Sequence, residues 1–404
     1  MKSTTFPTLV LAIAATTLGA AESPSAAPAT NSLPGKFSLD VRLRYESADQ
    51  ESLRGADALT LRTRLGFTTT PFDGFQAMVE GENITALNDR DDYNAAGTNA
   101  GGAGRTVIAD PPATGLNQAW LSWSGYDATV KGGRQRIVLD NARFVGDVGW
   151  RDNMQTYDAA TFTAKPDKDI TVFYGYVWHV SRVFGDQAPQ RDFKSDSHLI
   201  NVAWKAGGYG TLTGYAYLLD FDNSAANSSD TLGASFAGGA PLSKTAQLIY
   251  RVEAATQSDA GANPVKYTAN YWLAELGAVV APVNFGAGWE VLGSDGGRKG
   301  FSTPLATLHA FNGWDDVFLA TPANGLRDLY LSAGVALPRG FPLKVVYHDF
   351  AADEGGATYG SEWDAVLTHK FAKHWTALGK LAHFDGRGSF RDIDRYWLQV
   401  EFNN

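Results

Sequence analysis

Residues 37–46 read FSLDVRLRYE, ten positions at which apolar and polar side chains alternate without interruption. Because successive side chains of a β-strand point to opposite faces, this period of two predicts a strand with one apolar and one ionic face. Arg42 and Arg44 lie on the ionic face. The stretch therefore predicts one strand of a sheet that has an apolar environment on one side and water on the other.

The same alternation recurs along the rest of the chain. Apolar positions that follow the period are Leu59, Leu61, Leu65 and Phe67, then Ala119, Leu121 and Trp123, then Val283, Phe285, Ala287, Trp289 and Val291, and finally Tyr396, Leu398, Val400 and Phe402. Strands marked in this way number about eighteen, with sixteen as the alternative.

The segments between the strands alternate in length. Long ones lie near 47–57, 88–115, 138–155, 181–193, 222–230, 256–265, 295–327, 351–358 and 385–391. Short ones lie near 71–74, 125–126, 165–168, 206–208, 238–241, 281–282, 338–340 and 372–373. An up-and-down antiparallel membrane barrel has this rhythm, with tight turns at one rim and long loops at the other. A soluble β-sandwich, which has similar strands, does not require it.

Aromatic side chains near the strand ends support a membrane barrel, because Trp and Tyr favour the two bilayer interfaces. The residues predicted for these positions on the apolar faces are Tyr45, Phe67, Trp123, Trp178, Trp204, Tyr267, Trp289, Trp375 and Phe402. The apolar faces are therefore expected to contact lipid.

The beginning of the chain resembles an export signal. Lys2 precedes an apolar run over 9–18 and the small residues 19–21, which is too short to span a membrane as a helix. We expect residues 1–21 to be a cleaved signal peptide, 22–36 a flexible leader rich in Ala, Ser and Pro, and 37–404 a single barrel domain in the outer membrane.

Composition excludes several classes of function. The chain has no cysteine, so disulfide scaffolds and thiolate chemistry are excluded. Its net charge of −9 argues against nucleic acid as a partner. After residue 21 no run of about 20 apolar residues exists, so only a closed barrel could cross a bilayer. No metal-ligand spacing and no phosphate-binding loop is present, and we expect no cofactor.

The polar faces predict a charged, water-filled lumen, since a barrel of about eighteen strands is too wide for side chains to fill. The adjacent arginines Arg42, Arg44, Arg62 and Arg64 would form a positive ladder that attracts anions, while Glu362 and Asp364 would keep a polyanion from binding too tightly. The alternative is a solvated wall whose charges pair across neighbouring strands.

Two long loops carry more aromatic side chains than solvent-exposed loops need. Residues 138–155 contain Arg143, Trp150 and Arg151, and residues 295–327 contain Phe311 and Trp314. They are expected to fold inward as plugs or constrictions. Packing of each loop on its own rim is the alternative.

At these loops the sequence resembles the alginate export family of outer-membrane channels. The motifs are 133–135 (GRQ), 140–141 (DN), 143–146 (RFVG), 149–151 (GWR), 155–158 (QTYD), 311–314 (FNGW), 325–326 (GL) and 348–350 (HDF), with His309, Asp316, Asp328, Asp353, Gly360, Glu362 and Asp364. The resemblance implies an eighteen-stranded monomeric barrel whose arginine-lined lumen passes an acidic polysaccharide. It marks Arg134, Arg143 and Arg151 as pathway residues.

The leading functional hypothesis is therefore an outer-membrane channel, not an enzyme, for anionic or sugar-type solutes, including an acidic polysaccharide such as alginate. Its partners would be outer-membrane lipid and the solute. The acidic net charge and short loops also fit a general porin for small anionic or sugar-like solutes. Two alternatives from other classes are a barrel enzyme acting on lipid and a structural or adhesive barrel plugged by its loops.

Overall fold

The computed structural model describes residues 34–404. The predicted signal peptide over 1–21 and most of the predicted leader lie outside the described residues. The first strand begins at Gly35, two residues before the barrel start expected from the alternation.

Eighteen strands make up almost all of the regular structure between residues 34 and 404. They are β1 (Gly35–Gln50), β2 (Ala56–Thr69), β3 (Phe75–Ala86), β4 (Ala113–Gly125), β5 (Ala128–Gln135), β6 (Thr156–Asp167), β7 (Ile170–Ser181), β8 (Asp192–Lys205), β9 (Thr211–Leu219), β10 (Ser229–Pro241), β11 (Ala246–Asp259), β12 (Thr268–Val280), β13 (Val283–Leu292), β14 (Leu326–Leu337), β15 (Phe341–Ala351), β16 (Thr358–Ala372), β17 (Trp375–Gly386) and β18 (Ile393–Asn403). Three short 3₁₀ segments, Arg90–Asp92, Ala225–Asn227 and Leu308–Ala310, lie in the long loops.

Each strand pairs antiparallel with its neighbours in sequence, and β1 pairs with β18 from Asp40↔Asn403 to Gln50↔Ile393. The sheet is therefore a closed up-and-down barrel, and the predicted count of eighteen is confirmed. Closure pairs the edge strands within one chain. Within residues 34–404 no helix is both long enough and apolar enough to cross a membrane.

The predicted alternation of connections is also confirmed. Turns such as 126–127, between β4 and β5, lie at one rim, while the loops over 87–112, 136–155 and 293–325 lie at the other. In membrane barrels of this type the long loops are extracellular and the short turns periplasmic, and we name the two rims accordingly.

The outer wall exposes large apolar side chains, among them Phe37 at 65 % and Leu398 at 64 % of their surface. The aromatic residues predicted for the bilayer interfaces fit this wall with one exception. Tyr267 is buried inside the barrel, where its hydroxyl donates to Gln257 Oε1 at 2.8 Å. That prediction was wrong because Tyr267 belongs to the inward-facing set at the extracellular end of β12.

The extracellular half of the interior contains an apolar core instead of open solvent. Inward side chains of the strands, such as Tyr217 and Phe350, form one cluster with Phe144, Phe301 and Phe318 of the long loops. The loops over 136–155 and 293–325 therefore fold into the barrel, and the prediction of inward plugs or constrictions is confirmed.

Candidate functional site

The 136–155 loop is held in the lumen by Arg143. Its Nε donates to Glu290 Oε1 of β13 at 2.6 Å, while its terminal nitrogens donate to Thr303 Oγ1 and Asn312 Oδ1 of the other loop, each at 3.1 Å. Burial acts to lower the pKa of Arg143, but the Glu290 carboxylate raises it above its ordinary value. Arg143 is therefore a permanent cation that joins both loops to the wall.

Arg151 makes a second junction of the same kind. It lies within 3.2 Å of Glu46 on β1, 3.3 Å of Asp110 in the 87–112 loop and 2.5 Å of Asp316 in the 293–325 loop. Arg395 of β18 approaches the same Glu46 at 3.1 Å. One buried guanidinium thus connects three loops and the barrel wall.

The four predicted ladder arginines lie together on the inner faces of β1 and β2, as expected from the alternation. Their side chains are almost fully buried, with 1 % of the Arg44 residue and none of Arg62 exposed. They pair as Arg42 with Glu401 at 3.3 Å, Arg44 with Asp110 at 3.5 Å, Arg62 with Asp40 at 2.5 Å, and Arg64 with Glu82. Each is neutralised by a neighbouring carboxylate.

The same arginines also hold the 136–155 loop. Arg42 donates to the carbonyl oxygen of Trp150 at 2.9 Å, and Arg64 donates to that of Asp152 at 2.8 Å. The Arg44 guanidinium lies 4.2 Å from the centre of the Trp150 ring. The ladder is thus covered by the loop that it binds.

Glu362 and Asp364, which the sequence placed on the lumen wall, are buried on the inner face of β16. Glu362 accepts hydrogen bonds from the backbone N–H groups of Trp314 and Asp315, the latter at 2.8 Å. Glu362 therefore fixes the tip of the 293–325 loop against β16.

A buried lysine that the sequence analysis missed completes the attachment. The Lys380 ammonium of β17 lies 4.1 Å from the ring centre of Trp150, 3.8 Å from that of Trp314 and 5.1 Å from that of Trp397. It also donates to His309 Nε2 at 2.6 Å. This cation inside an aromatic cage contacts both inserted loops.

Titratable groups of the 293–325 loop are strongly shifted by their position in the lumen. Burial lowers the pKa of His309 to about 3, although the Asp316 carboxylate is adjacent. Because Lys380 donates to Nε2, the neutral imidazole carries its proton on Nδ1 and donates it to Asp316 at 2.8 Å. Burial and the neighbouring Glu362 raise the pKa of Asp315 to about 9.

Arg134 is the one predicted pathway residue that lies away from the lumen. Arg134 is four residues after Val130 on β5, so the two side chains are on the same face of the strand. Val130 pairs with Trp123 and Phe162 on the apolar outer face. The Arg134 guanidinium binds the Asp158 carboxylate at 2.7 Å and 2.9 Å near the extracellular rim. Gly133, which precedes Arg134, has a φ of +117°.

The sequence contains an indication that the loops pack against the inner face of the barrel. Toward the extracellular ends of the strands the inward positions change from polar to apolar, as at Tyr215, Tyr217 and Leu219 of β9. An open, water-filled lumen would not bury such a row. The change in the inner face therefore indicates that something apolar packs there.

A polar groove of about 300 Å³ lies between the tip of the 293–325 loop and the inner side of β11–β15. Arg251, Glu275, Tyr330, Lys344 and His348 line it on the barrel side. Within residues 34–404 no group of three or more His, Asp or Glu side chains is arranged to hold a metal ion.

The sequence profile of the alginate export family matches residues 34–288, more than half of the chain. A search of curated proteins found no match.

Solved structures of outer-membrane porins have the same fold. Acinetobacter baumannii OccAB4 superposes with a TM-score of 0.71 at 12 % identity, covering 92 % of this chain and 98 % of that one. Pseudomonas aeruginosa OccK9 (OpdG) gives 0.72 at 14 %, covering 91 % and 98 %. P. aeruginosa OpdK, solved with vanillate, gives 0.67 at 16 %, covering 91 % and 98 %. At these identities the likeness establishes the barrel fold, and together with the profile it shows that the chain is an outer-membrane β-barrel of the alginate export family.

Proposed function

We propose that this outer-membrane barrel is a solute-selective channel for anionic or sugar-type solutes. The observation that supports this best is the constriction. An eighteen-stranded barrel is wide enough to hold water, but the 136–155 and 293–325 loops occupy its extracellular half and leave a polar groove along one wall. A wide barrel narrowed by ordered loops discriminates among solutes by contact, and still releases them if binding stays weak.

Small solutes fit the docked loops better than a polymer does. The family resemblance implies an acidic polysaccharide such as alginate, whereas OpdK, which has the same fold, was solved with vanillate, a small carboxylate. In this chain Arg143 and Arg151 pin the loops across the section through which a polysaccharide would have to thread. Passage of a polymer would require both loops to leave the lumen.

The arginine ladder contributes to this function through the loop that it holds. Arg42, Arg44, Arg62 and Arg64 are buried and paired, so their charges attract a solute less than free guanidinium groups would. We assign them the role of anchoring the 136–155 loop, together with Arg151. Arg143 has the same role toward β13.

Recording from the purified full barrel in planar lipid bilayers tests the channel. Discrete conductance steps are expected, and a salt gradient should give a reversal potential that favours anions. Replacing Arg42, Arg44, Arg62 and Arg64 together by Ala should increase the step size, because the loop is released. Loss of the anion preference without a larger step would instead make the ladder the selectivity element.

A matched variant controls for the lost charge. Four arginines of the extracellular loops have more than half of their side-chain surface exposed. They are Arg191, Arg298, Arg387 and Arg391. Their replacement by Ala removes the same net charge without touching the lumen, and should leave the step size unchanged. Absence of any conductance would reject the channel in favour of the plugged barrel, and a lipase assay on the same protein tests the lipid-acting enzyme.

The channel is proposed to act as a monomer surrounded by outer-membrane lipid. Pairing of β1 with β18 closes the barrel within one chain, and the exposed outer wall is apolar. A detergent-corrected mass measurement of the purified protein should give one chain per particle, and a mass of two or three chains would contradict this.

A further inference from the structure

The inner wall of β11–β15 carries one row of polar side chains that the loops cover only in part. Cross-strand pairs place Arg251 beside Glu275, Glu275 beside Gly288, Gly288 beside Tyr330, and Tyr330 beside His348. Because paired residues of neighbouring strands point to the same face, these side chains form a band around the lumen. Three strands, β16–β18, separate β15 at one end of this band from β1 of the arginine ladder.

Small residues form the next row toward the periplasmic rim. Gly277 pairs with Gly286, and Gly286 pairs with Ser332, while Ile249 and Val346 flank them. Without large side chains in its middle, this row leaves an indentation below the charged band. The indentation is the floor of the groove of about 300 Å³, which is at the lower end of the range for small-molecule sites.

The tip of the 293–325 loop forms the other side of the groove. Phe311, Asn312 and Trp314 line it there. Asn312 is held in place by donating to Glu290 at 2.6 Å and to Asp328 at 3.1 Å. Two aromatic side chains on a rigid tip thus oppose a polar wall.

The charged side chains that line the groove differ in how far their hydrogen-bonding groups are already used by neighbouring residues. Asp328 is bound to His348 at 2.9 Å, and Glu275 accepts from the Tyr330 hydroxyl at 2.6 Å. Lys344 is exposed and forms no ion pair with any residue between 34 and 404. Arg251 uses Nε and one terminal nitrogen on Glu253, at 3.1 Å and 2.7 Å, which leaves its other terminal nitrogen for a ligand.

We infer that this groove is the solute-binding part of the pathway, and that it takes a monomeric, ring-shaped, hydroxylated carboxylate such as a single sugar acid. Lys344 would bind the carboxylate, and Arg251, four strands away on β11 and level with His348, would donate to a ring hydroxyl. Glu275 and Ser332 would bind ring hydroxyls, and Phe311 and Trp314 would cover the apolar face of the ring. This inference rests on the proposed channel function. The size of the groove limits the solute to a single ring.

Block of the ion current by sodium glucuronate tests the site, with a long uronate oligomer as the size probe. In the wild-type barrel, glucuronate should interrupt the current at lower concentration than the oligomer. Lys344→Gln should raise the half-blocking concentration roughly tenfold, the cost of one charge-assisted hydrogen bond. Gly277→Leu should fill the groove and lower the single-channel conductance; its φ lies outside the left-handed region, and the added Cβ would lie 3.2 Å from the Phe285 carbonyl oxygen.

Each variant has a matched control elsewhere on the barrel. Lys131→Gln removes an inner-wall lysine of β5 that packs on Trp120, and Gly214→Leu adds a side chain on the outer face, where nothing lies within 4 Å. Both should conduct and be blocked like the wild type.

The outcomes separate this inference from the proposed function. Conductance that glucuronate blocks equally in Lys344→Gln and wild type, with unchanged current in Gly277→Leu, would refute the groove and keep the channel. Tighter block by the oligomer than by the monomer would refute the size limit. No conductance in the wild type would remove the proposed function, and this inference with it.

Discussion

The inner wall formed by β1, β2 and β18 and the inner wall formed by β11–β15 both carry basic and acidic side chains, but the loops bury the charges of the first and leave a groove along the second. On the first wall, Arg44 and Arg62 are buried and paired. On the second, Lys344 forms no ion pair within the described chain, and Gly277 and Gly286 line the groove. A polar inner face is therefore not by itself a solute path, because the loops decide which charges a solute can reach.

The largest effect is expected from replacing Arg151, the cation that joins the loops to the wall of β1, β2 and β18. Arg151→Met leaves the carboxylates of Glu46, Asp110 and Asp316 without their shared partner, and breaking such a buried pair costs about 3–5 kcal/mol. The loops should undock, and the single-channel conductance should increase several-fold in bilayer recordings.

Arg136→Met is the matched control, because Arg136 lies on the same loop but is half exposed and, among residues 34–404, pairs only with Asp147. A surface pair of this kind contributes about 0–1 kcal/mol, so its conductance should stay at the wild-type value. Equal conductance in the Arg151 and Arg136 variants would show that the loops do not need the buried junction.

An intermediate effect is expected from pH, through the two shifted groups of the 293–325 loop. Asp315 has a pKa of about 9 in the docked loop against an ordinary 3.8, so docking weakens as pH rises between these values. His309 has a pKa of about 3 against an ordinary 6.5, so docking weakens as pH falls through that interval.

The two dependences oppose each other between about pH 4 and pH 6.5, and from about pH 6.5 to pH 9 the ionisation of Asp315 weakens docking without an opposing contribution from His309. Open events in bilayer recordings should become more frequent over that range. Asp315→Asn should abolish the alkaline increase, since a neutral amide replaces the protonated carboxyl beside Glu362 and Arg395. An alkaline increase that persists in Asp315→Asn would assign the effect to another group.

The smallest effect is expected on the outer face. Arg134→Ala removes a partly exposed ion pair with Asp158, worth up to about 1 kcal/mol. The thermal midpoint of the detergent-solubilised barrel should fall slightly, while conductance and anion preference stay unchanged. A changed reversal potential would place Arg134 in the pathway, as the family resemblance implied.

The alternation of apolar and polar residues in the sequence was sufficient to predict the barrel. A strand has a period of two, so the alternation in 37–46 and its repeats determine which side chains face lipid and which face inward. Tight turns and long loops alternate along the chain because consecutive strands run in opposite directions. The ladder of Arg42, Arg44, Arg62 and Arg64 follows directly, since neighbouring strands bring equivalent positions together.

Tertiary structure decided what the inner face does. Arg143 meets Glu290, and Arg151 meets Glu46 and Asp316, across separations of roughly a hundred residues or more along the chain. No local period encodes such contacts, because they depend on how far a loop reaches into the closed barrel. The sequence therefore determined which residues face the lumen, and only the folded loops determined which of them are anchors and which remain open to a solute.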